Sequence, residues 1–115
     1  MSVTIYHNPA CSKSRVTLAL LRERGIEPVT RLYLHEPLTV AELEDILAKL
    51  GKKPREILRT SEDVYKTLGL ADMALTDQQL LQTMTANPAL IERPIVVVGE
   101  RAVLGRPPES VLELL

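Results

Sequence analysis

The sequence predicts an α/β domain that is interrupted by an all-helical segment, from about residue 38 to residue 92. A short apolar strand at Val3–Tyr6 precedes a helix and an alternating strand at 29–34, an order that favours a parallel pair with a right-handed crossover. The middle segment carries apolar residues at helical spacing. After it, PIVVV at 94–98 and the residues 102–104 flank a Gly-Glu turn, which predicts an antiparallel hairpin.

The first helix is expected from about Ser14 to Arg24, where Gly25 ends it. Its candidate core residues are Val16, Leu18, Leu20 and Leu21. Pro28 precedes the second strand, VTRLYL.

Two capping boxes mark helix starts in the middle segment. Thr39 with Glu42 opens a helix that ends before Gly51, and Thr76 with Gln79 opens another that ends near Asn87. Between them we expect a short helix beginning at Pro54 and a helical stretch over 64–75 that is interrupted at Gly69.

The chain ends in a predicted helix. Gly105 breaks the hairpin strand, and Pro107 suits the first turn of the helix. Val111, Leu112 and Leu115 are its expected core residues.

Composition narrows the class of protein. At 115 residues and 45% hydrophobic content the chain fits one domain with a real core. The formal charge of -1 gives no global reason to bind nucleic acid or anionic lipid, and no apolar run is long enough for a membrane span. The N-terminal residues lack the layout of a signal peptide, so we expect a cytoplasmic protein.

Cys11 is the only cysteine, so the sequence allows neither an internal disulfide nor a metal site built from several thiolates. It lies where a strand gives way to a polar turn and then a helix. A thiol at the first turn of a helix is stabilised as the thiolate by unsatisfied N–H groups and the macrodipole, and Lys13 and Arg15 add positive charge. The alternative is a buried, inert cysteine, but the polar neighbours favour a nucleophile.

His7 and the serines that follow Cys11 are the next candidates. His7 is able either to lower the pKa of the cysteine or to orient the turn, and the sequence does not separate the two. Ser12 and Ser14 are suited to capping backbone N–H groups or to binding an anion. His35 has no second ligand at metal-binding spacing, so we expect no metal.

Three arginines complete the candidate site. Arg93 precedes Pro94 at a strand entrance, where a cis peptide is affordable, and Arg106 lies between Gly105 and Pro107. Arg59 lies in a short helical stretch. Each arginine taken by itself is best interpreted as a solvent-exposed surface charge. Grouped around a thiolate, their guanidinium forks would suit a tetrahedral oxyanion.

Four segments together resemble a known family nearly end to end. They are IYHNPAC (5–11), LRTSEDVYKTLGLAD (58–72), NPALIERPIVV (87–97) and GRPPESVLELL (105–115). The chain resembles the ArsC family of glutaredoxin-coupled arsenate reductases, and the resemblance implies a thioredoxin-like fold, with a mixed four-stranded sheet and a helical insertion. Ser12-Lys13-Ser14 stands where better-characterised members tend to carry Gly-Thr-Ser, which indicates an ArsC-like subgroup.

The resemblance also implies an activity, the reduction of arsenate to arsenite in arsenic detoxification. It makes Cys11 the nucleophile, His7 the histidine linked to thiolate formation, and Arg59, Arg93 and Arg106 the anion-binding arginines, with Ser14 beside the substrate and Pro94 as the cis-proline. Glutathione is then the co-substrate and glutaredoxin the protein partner, and no resident cofactor is expected.

Two other functions stay open on the sequence. The related Spx proteins are redox-responsive transcription regulators that bind RNA polymerase, and they typically carry a Cys-x-x-Cys switch. Here position 14 is Ser, so the second thiol is missing. The other alternative is a monothiol glutaredoxin-like enzyme acting on glutathionylated substrates.

Overall fold

The computed structural model describes residues 2–115, which fall into two compact units. One unit comprises the residues up to Glu36 together with Arg93–Leu115, and the other comprises Pro37–Glu92. The second unit corresponds to the helical segment that the sequence places at about 38–92.

The first unit is built on a four-stranded mixed sheet. Its strands are β1 (Val3–Tyr6), β2 (Val29–Arg31), β3 (Ile95–Val98) and β4 (Arg101–Leu104), in the order β2-β1-β3-β4. The pair β1/β2 is parallel, and the pairs β1/β3 and β3/β4 are antiparallel. This confirms the predicted α/β class and the thioredoxin-like sheet.

The second strand is shorter than the sequence predicts. The ladder ends at the pair Tyr6 and Arg31, and the N–H of His7 still donates to the carbonyl of Arg31 at 2.9 Å. The chain turns instead, with the backbone N–H groups of His35 and Glu36 both donating to the carbonyl of Leu32. Tyr33 is almost fully buried in this turn.

Helix α1 spans Ser12–Glu23 and buries an unexpected face. Its buried residues are Ser14, Thr17 and Leu21, which share one face at helical spacing. The prediction that Val16 lies in the core is wrong, since its side chain is 47% exposed. The polar Ser14 and Thr17 take the inner face because they bond to the neighbouring turn and helix backbone.

The core of this unit lies between α1, the sheet and the C-terminal segment. Pro108–Leu114 forms a 3₁₀ helix, in which residues three apart share a face. Val111 and Leu114 are therefore buried, whereas Leu115, an expected core residue, is 49% exposed. The buried cluster is completed by Ile5, Leu21, Val96 and Val98.

The helical unit contains α2 (Val40–Leu50), α3 (Asp63–Thr67) and α4 (Asp77–Ala86), with 3₁₀ helices at Pro54–Ile57 and Pro88–Leu90. Both predicted capping boxes are present, at Thr39/Glu42 and Thr76/Gln79. Its buried residues include Leu43, Ile46, Ile57, Leu80, Met84, Leu90 and Ile91.

Within residues 2–115, no helix combines the length and the apolar character that crossing a bilayer would require. The same residues contain no cluster of three or more His, Cys, Asp and Glu side chains placed to hold a metal ion.

Candidate active site

Cys11 is the N-cap residue of α1, with extended backbone angles of φ -95° and ψ 123°. Its carbonyl accepts the first helical hydrogen bond, from the N–H of Arg15 at 3.0 Å, and its own N–H donates to the carbonyl of Asn8 at 3.0 Å. The thiol is partly exposed and forms no disulfide. It therefore stands at the helix N-terminus, where free N–H groups point outward.

The pKa of the Cys11 thiol is lowered from its ordinary value. Burial is the largest effect and raises the pKa, but hydrogen bonds and charge outweigh it. The backbone N–H of Ser14, the side chain of Arg93 and the backbone N–H of Lys13 all donate to the sulfur, and the charge of Arg93 adds to them. The site thus favours a thiolate.

The groups that stabilise the thiolate differ from those expected. Lys13 acts through its backbone N–H and not through its ammonium group. Arg15 is turned to the preceding loop, where its Nη1 donates to the carbonyl of Pro9 at 2.8 Å. Neither the Arg15 side chain nor His7 contributes to the shift of the Cys11 pKa.

His7 is buried and bonded to Ser14. Its Nδ1 lies 2.6 Å from Ser14 Oγ, and the same hydroxyl accepts the N–H of Asn8 at 3.1 Å. The pKa of His7 is lowered, first by burial and then by the charges of Arg22 and Arg15, so the ring is neutral near pH 7. Of the two roles left open by the sequence, this geometry favours orientation of the turn.

Ser14 is fully buried, and its hydroxyl bonds to His7 and to the N–H of Asn8 in the turn. Its contribution to the thiol comes from the backbone N–H. The Asn8 side chain adds a further bond to the turn, accepting the N–H of Ala10 at 3.0 Å. The turn is therefore held by a closed set of buried polar contacts, which fixes where α1 begins.

Arg93 and Arg106 lie together. The Nη1 of Arg106 donates to the carbonyl of Arg93 at 3.1 Å, while the Arg93 side chain donates to Cys11. The Arg93–Pro94 peptide is cis, the geometry that the family resemblance implies. The Arg106–Pro107 peptide is also cis, and no feature of the sequence predicted it.

Gly105 is tightly enclosed between Pro94 and α1. A Cβ atom at this position would lie 2.7 Å from Pro94 Cγ and 2.7 Å from Thr17 Oγ1. The backbone N–H of Gly105 donates to the carbonyl of Pro94 at 2.9 Å. The residue is small because β4 must pass this close to bring Arg106 beside Arg93.

Arg59 belongs to the helical unit, where it pairs with Glu92. Arg59 Nη1 lies 2.5 Å from Glu92 Oε1, and both side chains are largely buried. Leu58 and Ile91 form a short antiparallel bridge, which brings the next residues, Arg59 and Glu92, side by side. The Nε of Arg59 is buried and finds no hydrogen-bond partner within residues 2–115. Glu92 was not predicted from the sequence, because its partner is 33 residues away.

Comparison with known proteins identifies relatives of this chain. The profile described as the ArsC family matches residues 6–114. A Haemophilus influenzae protein named arsenate reductase is 51% identical, covering 100% of both chains. The Escherichia coli K12 protein YfgD, described as uncharacterized, is 54% identical over 98% of this chain and 96% of its own.

Solved structures match the chain over nearly its whole length. The structure named arsenate reductase from Vibrio cholerae has a TM-score of 0.97 and 51% identity, and the match covers 100% of this chain and 98% of the other. An ArsC family related protein from Bacteroides fragilis has a TM-score of 0.86 at 29% identity, with full coverage of both chains. The chain described here belongs to the ArsC family.

Proposed function

We propose that this protein reduces arsenate to arsenite through Cys11, with glutathione and glutaredoxin supplying the electrons. The observation that carries the proposal is the environment of the Cys11 thiol. Two backbone N–H groups and the Arg93 guanidinium donate to one sulfur atom at a helix N-terminus, which prepares a thiolate for attack. The names of the relatives from Haemophilus influenzae and Vibrio cholerae support the choice of arsenate.

The arginines support an oxyanion as the substrate. Arg93 and Arg106 are joined by a hydrogen bond, so two guanidinium groups accompany the thiol within one unit. Arg59 is proposed as the third anion ligand. Its support is local: within residues 2–115 the buried Nε of Arg59 finds no hydrogen-bond partner, which is rare for a buried donor.

The proposed reaction needs only one cysteine from this chain, because glutathione supplies the second sulfur. The Cys11 thiolate attacks arsenic, forming a sulfur–arsenic bond and releasing a protonated oxygen as water. A glutathione thiolate then attacks the Cys11 sulfur, and the electron pair of the sulfur–arsenic bond goes to arsenic. Arsenic is reduced from As(V) to As(III), and the two sulfur atoms are oxidised to a mixed disulfide.

The mixed disulfide must then be opened by another thiol. A glutaredoxin thiolate attacks the glutathione sulfur, and Cys11 leaves as the thiolate. Cys11 is the only cysteine, so the resolving sulfur comes from outside the chain. No resident cofactor takes part in this scheme.

The test is a coupled assay with NADPH, glutathione reductase, glutaredoxin and glutathione, run with and without arsenate. We expect NADPH oxidation that depends on arsenate and is abolished by Cys11→Ser. Arg59→Lys keeps the charge and loses the fork, so we expect it to lower turnover while the thiol pKa stays unchanged.

The same assay separates the alternatives. A monothiol glutaredoxin-like enzyme would consume NADPH with a glutathionylated substrate and no arsenate, and Arg106→Lys would leave that rate unchanged. Arsenate-independent activity of this kind would contradict the proposal. A regulator of the Spx type would show no turnover and would bind RNA polymerase.

A further inference from the structure

The guanidinium group of Arg59 is held by a single residue. Its Nη1 donates to Glu92 Oε1 at 2.5 Å. Within residues 2–115 the group makes no other hydrogen bond, and its buried Nε finds no partner. Because a guanidinium carries several N–H donors in one rigid plane, this single contact decides where the remaining donors point.

The backbone that carries this ion pair is fixed on both sides. The N–H of Arg59 donates to the carbonyl of Leu90 at 2.8 Å, and the N–H of Glu92 donates to the carbonyl of Ile57 at 2.9 Å. The two bridged residues between these bonds are buried. Arg59 and Glu92 are diagonal neighbours on one face of this antiparallel bridge, within reach of long side chains. The pair is therefore built into the folded helical unit.

Burial distinguishes this pair from an ordinary surface ion pair. The side chains of Arg59 and Glu92 are 17% and 23% exposed, whereas those of Arg22 and Glu27 are 54% and 70% exposed. Exposed pairs contribute little, because water competes for both charges. In a largely buried pair, water does not readily replace a lost partner. The orientation of Arg59 therefore depends on Glu92 more than that of Arg22 depends on Glu27.

Glu92 is also the last residue of the helical unit. The next residue in the chain is Arg93, whose side chain donates to the Cys11 sulfur. Arg106 in turn donates to the carbonyl of Arg93. The residue that holds Arg59 is thus joined by one peptide bond to the arginine that contacts the thiol.

We propose that Glu92 is a positioning residue for the oxyanion, which acts by holding the Arg59 guanidinium in its anion-binding orientation. The inference rests on the proposed function, in which Arg59 is the third anion ligand. Fixing a free arginine side chain costs a free energy that corresponds to roughly a tenfold change in affinity. Glu92 removes this cost from anion binding, because the guanidinium is ordered before the anion arrives.

The contact with Glu92 leaves donors for an anion. Glu92 bonds to Nη1 alone, whereas a bidentate carboxylate would occupy both nitrogens of a fork. The second terminal nitrogen, Nη2, donates to no group within residues 2–115. Glu92 thus fixes the guanidinium through one nitrogen and keeps the other for an oxygen of the substrate.

The orientation of Arg59 is measured directly from the NMR signal of its Nε–H, assigned by its loss in Arg59→Lys. In the Cys11→Ser protein we expect slow exchange of this hydrogen with water, because the Nε is buried. Glu92→Asp should speed the exchange at least threefold, since the shorter side chain no longer reaches Nη1. An equal exchange rate in both proteins would overturn the proposal.

Two conservative variants separate the reach of Glu92 from its charge. Glu92→Gln keeps an oxygen within reach of Nη1, so the KM for arsenate should stay within about twofold of the wild type or fall. Glu92→Asp keeps the charge and loses the reach, so this KM should rise about three- to tenfold. In both variants the KM for glutathione and the thiol pKa should be unchanged. Equal losses in Gln and Asp, or a lower KM in Asp, would overturn the proposal; the latter would mean that Glu92 competes with the anion.

A double-mutant cycle excludes a general effect on the fold. Arg59→Ala should raise the KM for arsenate, and adding Glu92→Asp should raise it no further, because no guanidinium remains to be oriented. Losses that multiply would overturn the proposal. The matched control is Glu27→Asp, which shortens the acidic partner of the surface pair and should change the KM by no more than about 1.5-fold.

Arsenate titrated into the Cys11→Ser protein separates this inference from the proposed function. We expect the Arg59 Nε–H signal to shift as arsenate binds. An unmoved signal together with normal arsenate turnover in the wild type would overturn the inference and leave the proposed function standing. An absence of arsenate turnover in the wild type would count against the proposed function, whereas the exchange rate of the Arg59 Nε–H would still decide whether Glu92 orients this side chain.

Discussion

Gly105→Ala tests how the two adjacent arginines are held. The added methyl group lies 2.7 Å from both Pro94 Cγ and Thr17 Oγ1, closer than real Cβ contacts occur. Neither neighbour moves easily, because Thr17 is fully buried and donates to the carbonyl of Lys13 at 2.8 Å, and Pro94 is a buried ring. Overpacking of this kind costs about 1–3 kcal/mol. For a chain of this length we expect the melting temperature to fall by roughly 4–12 °C.

The assay is urea unfolding of Gly105→Ala, Thr17→Ala and the double variant. Thr17→Ala removes the Oγ1 and Cγ2 atoms that the new methyl group would meet. The double variant should therefore be more stable than the sum of the single changes predicts, by about 1 kcal/mol. Gly105→Ala should also raise the KM for arsenate, since Gly105 lies between the residues that carry the arginines. Wild-type stability in Gly105→Ala, or strict additivity with Thr17→Ala, would refute the close contact.

Three further predictions follow from the site. Arg93→Gln removes a donor and a charge from the thiolate and should raise the Cys11 pKa, as measured by alkylation rate against pH; an unchanged pKa would contradict the geometry. The pKa of His7 is lowered in the folded protein, so the unfolded state takes up the proton first as the pH falls. The free energy of unfolding should therefore decrease as the pH drops below about 6.5. Urea unfolding at several pH values should show this decrease in the wild type and not in His7→Gln. Arg106→Lys keeps the charge but loses the guanidinium fork that donates to the Arg93 carbonyl. The kcat/KM for arsenate should therefore fall about tenfold or more in the coupled assay. Turnover equal to that of the wild type would contradict a role for Arg106 in binding the anion.

Local signals in the sequence are enough to predict much of this fold. Thr39 with Glu42 and Thr76 with Gln79 identify helix starts because the capping contacts lie within one turn. The apolar runs around Ile5 and Val96 identify the central strands. Cys11 is identified by its place between a strand and a helix.

Local sequence signals do not predict contacts between distant residues or departures from ideal helical spacing. Val16 was expected in the core, but Ser14 and Thr17 occupy the inner face because they hold the turn and the helix backbone. Leu115 was expected to pack, but the 3₁₀ spacing buries Leu114 instead. The roles of Gly105, Glu92 and the second cis peptide depend on long-range packing, which leaves no local pattern.

The most direct test of the central claim is intact-mass analysis of the wild-type protein after incubation with arsenate and glutathione, with glutaredoxin left out. We expect a single glutathione adduct that maps to Cys11 and appears only when arsenate is present. It should form together with arsenite in equal amount and disappear when glutaredoxin is added. Arsenite formation without an adduct on Cys11, or arsenite formation by Cys11→Ser, would contradict it.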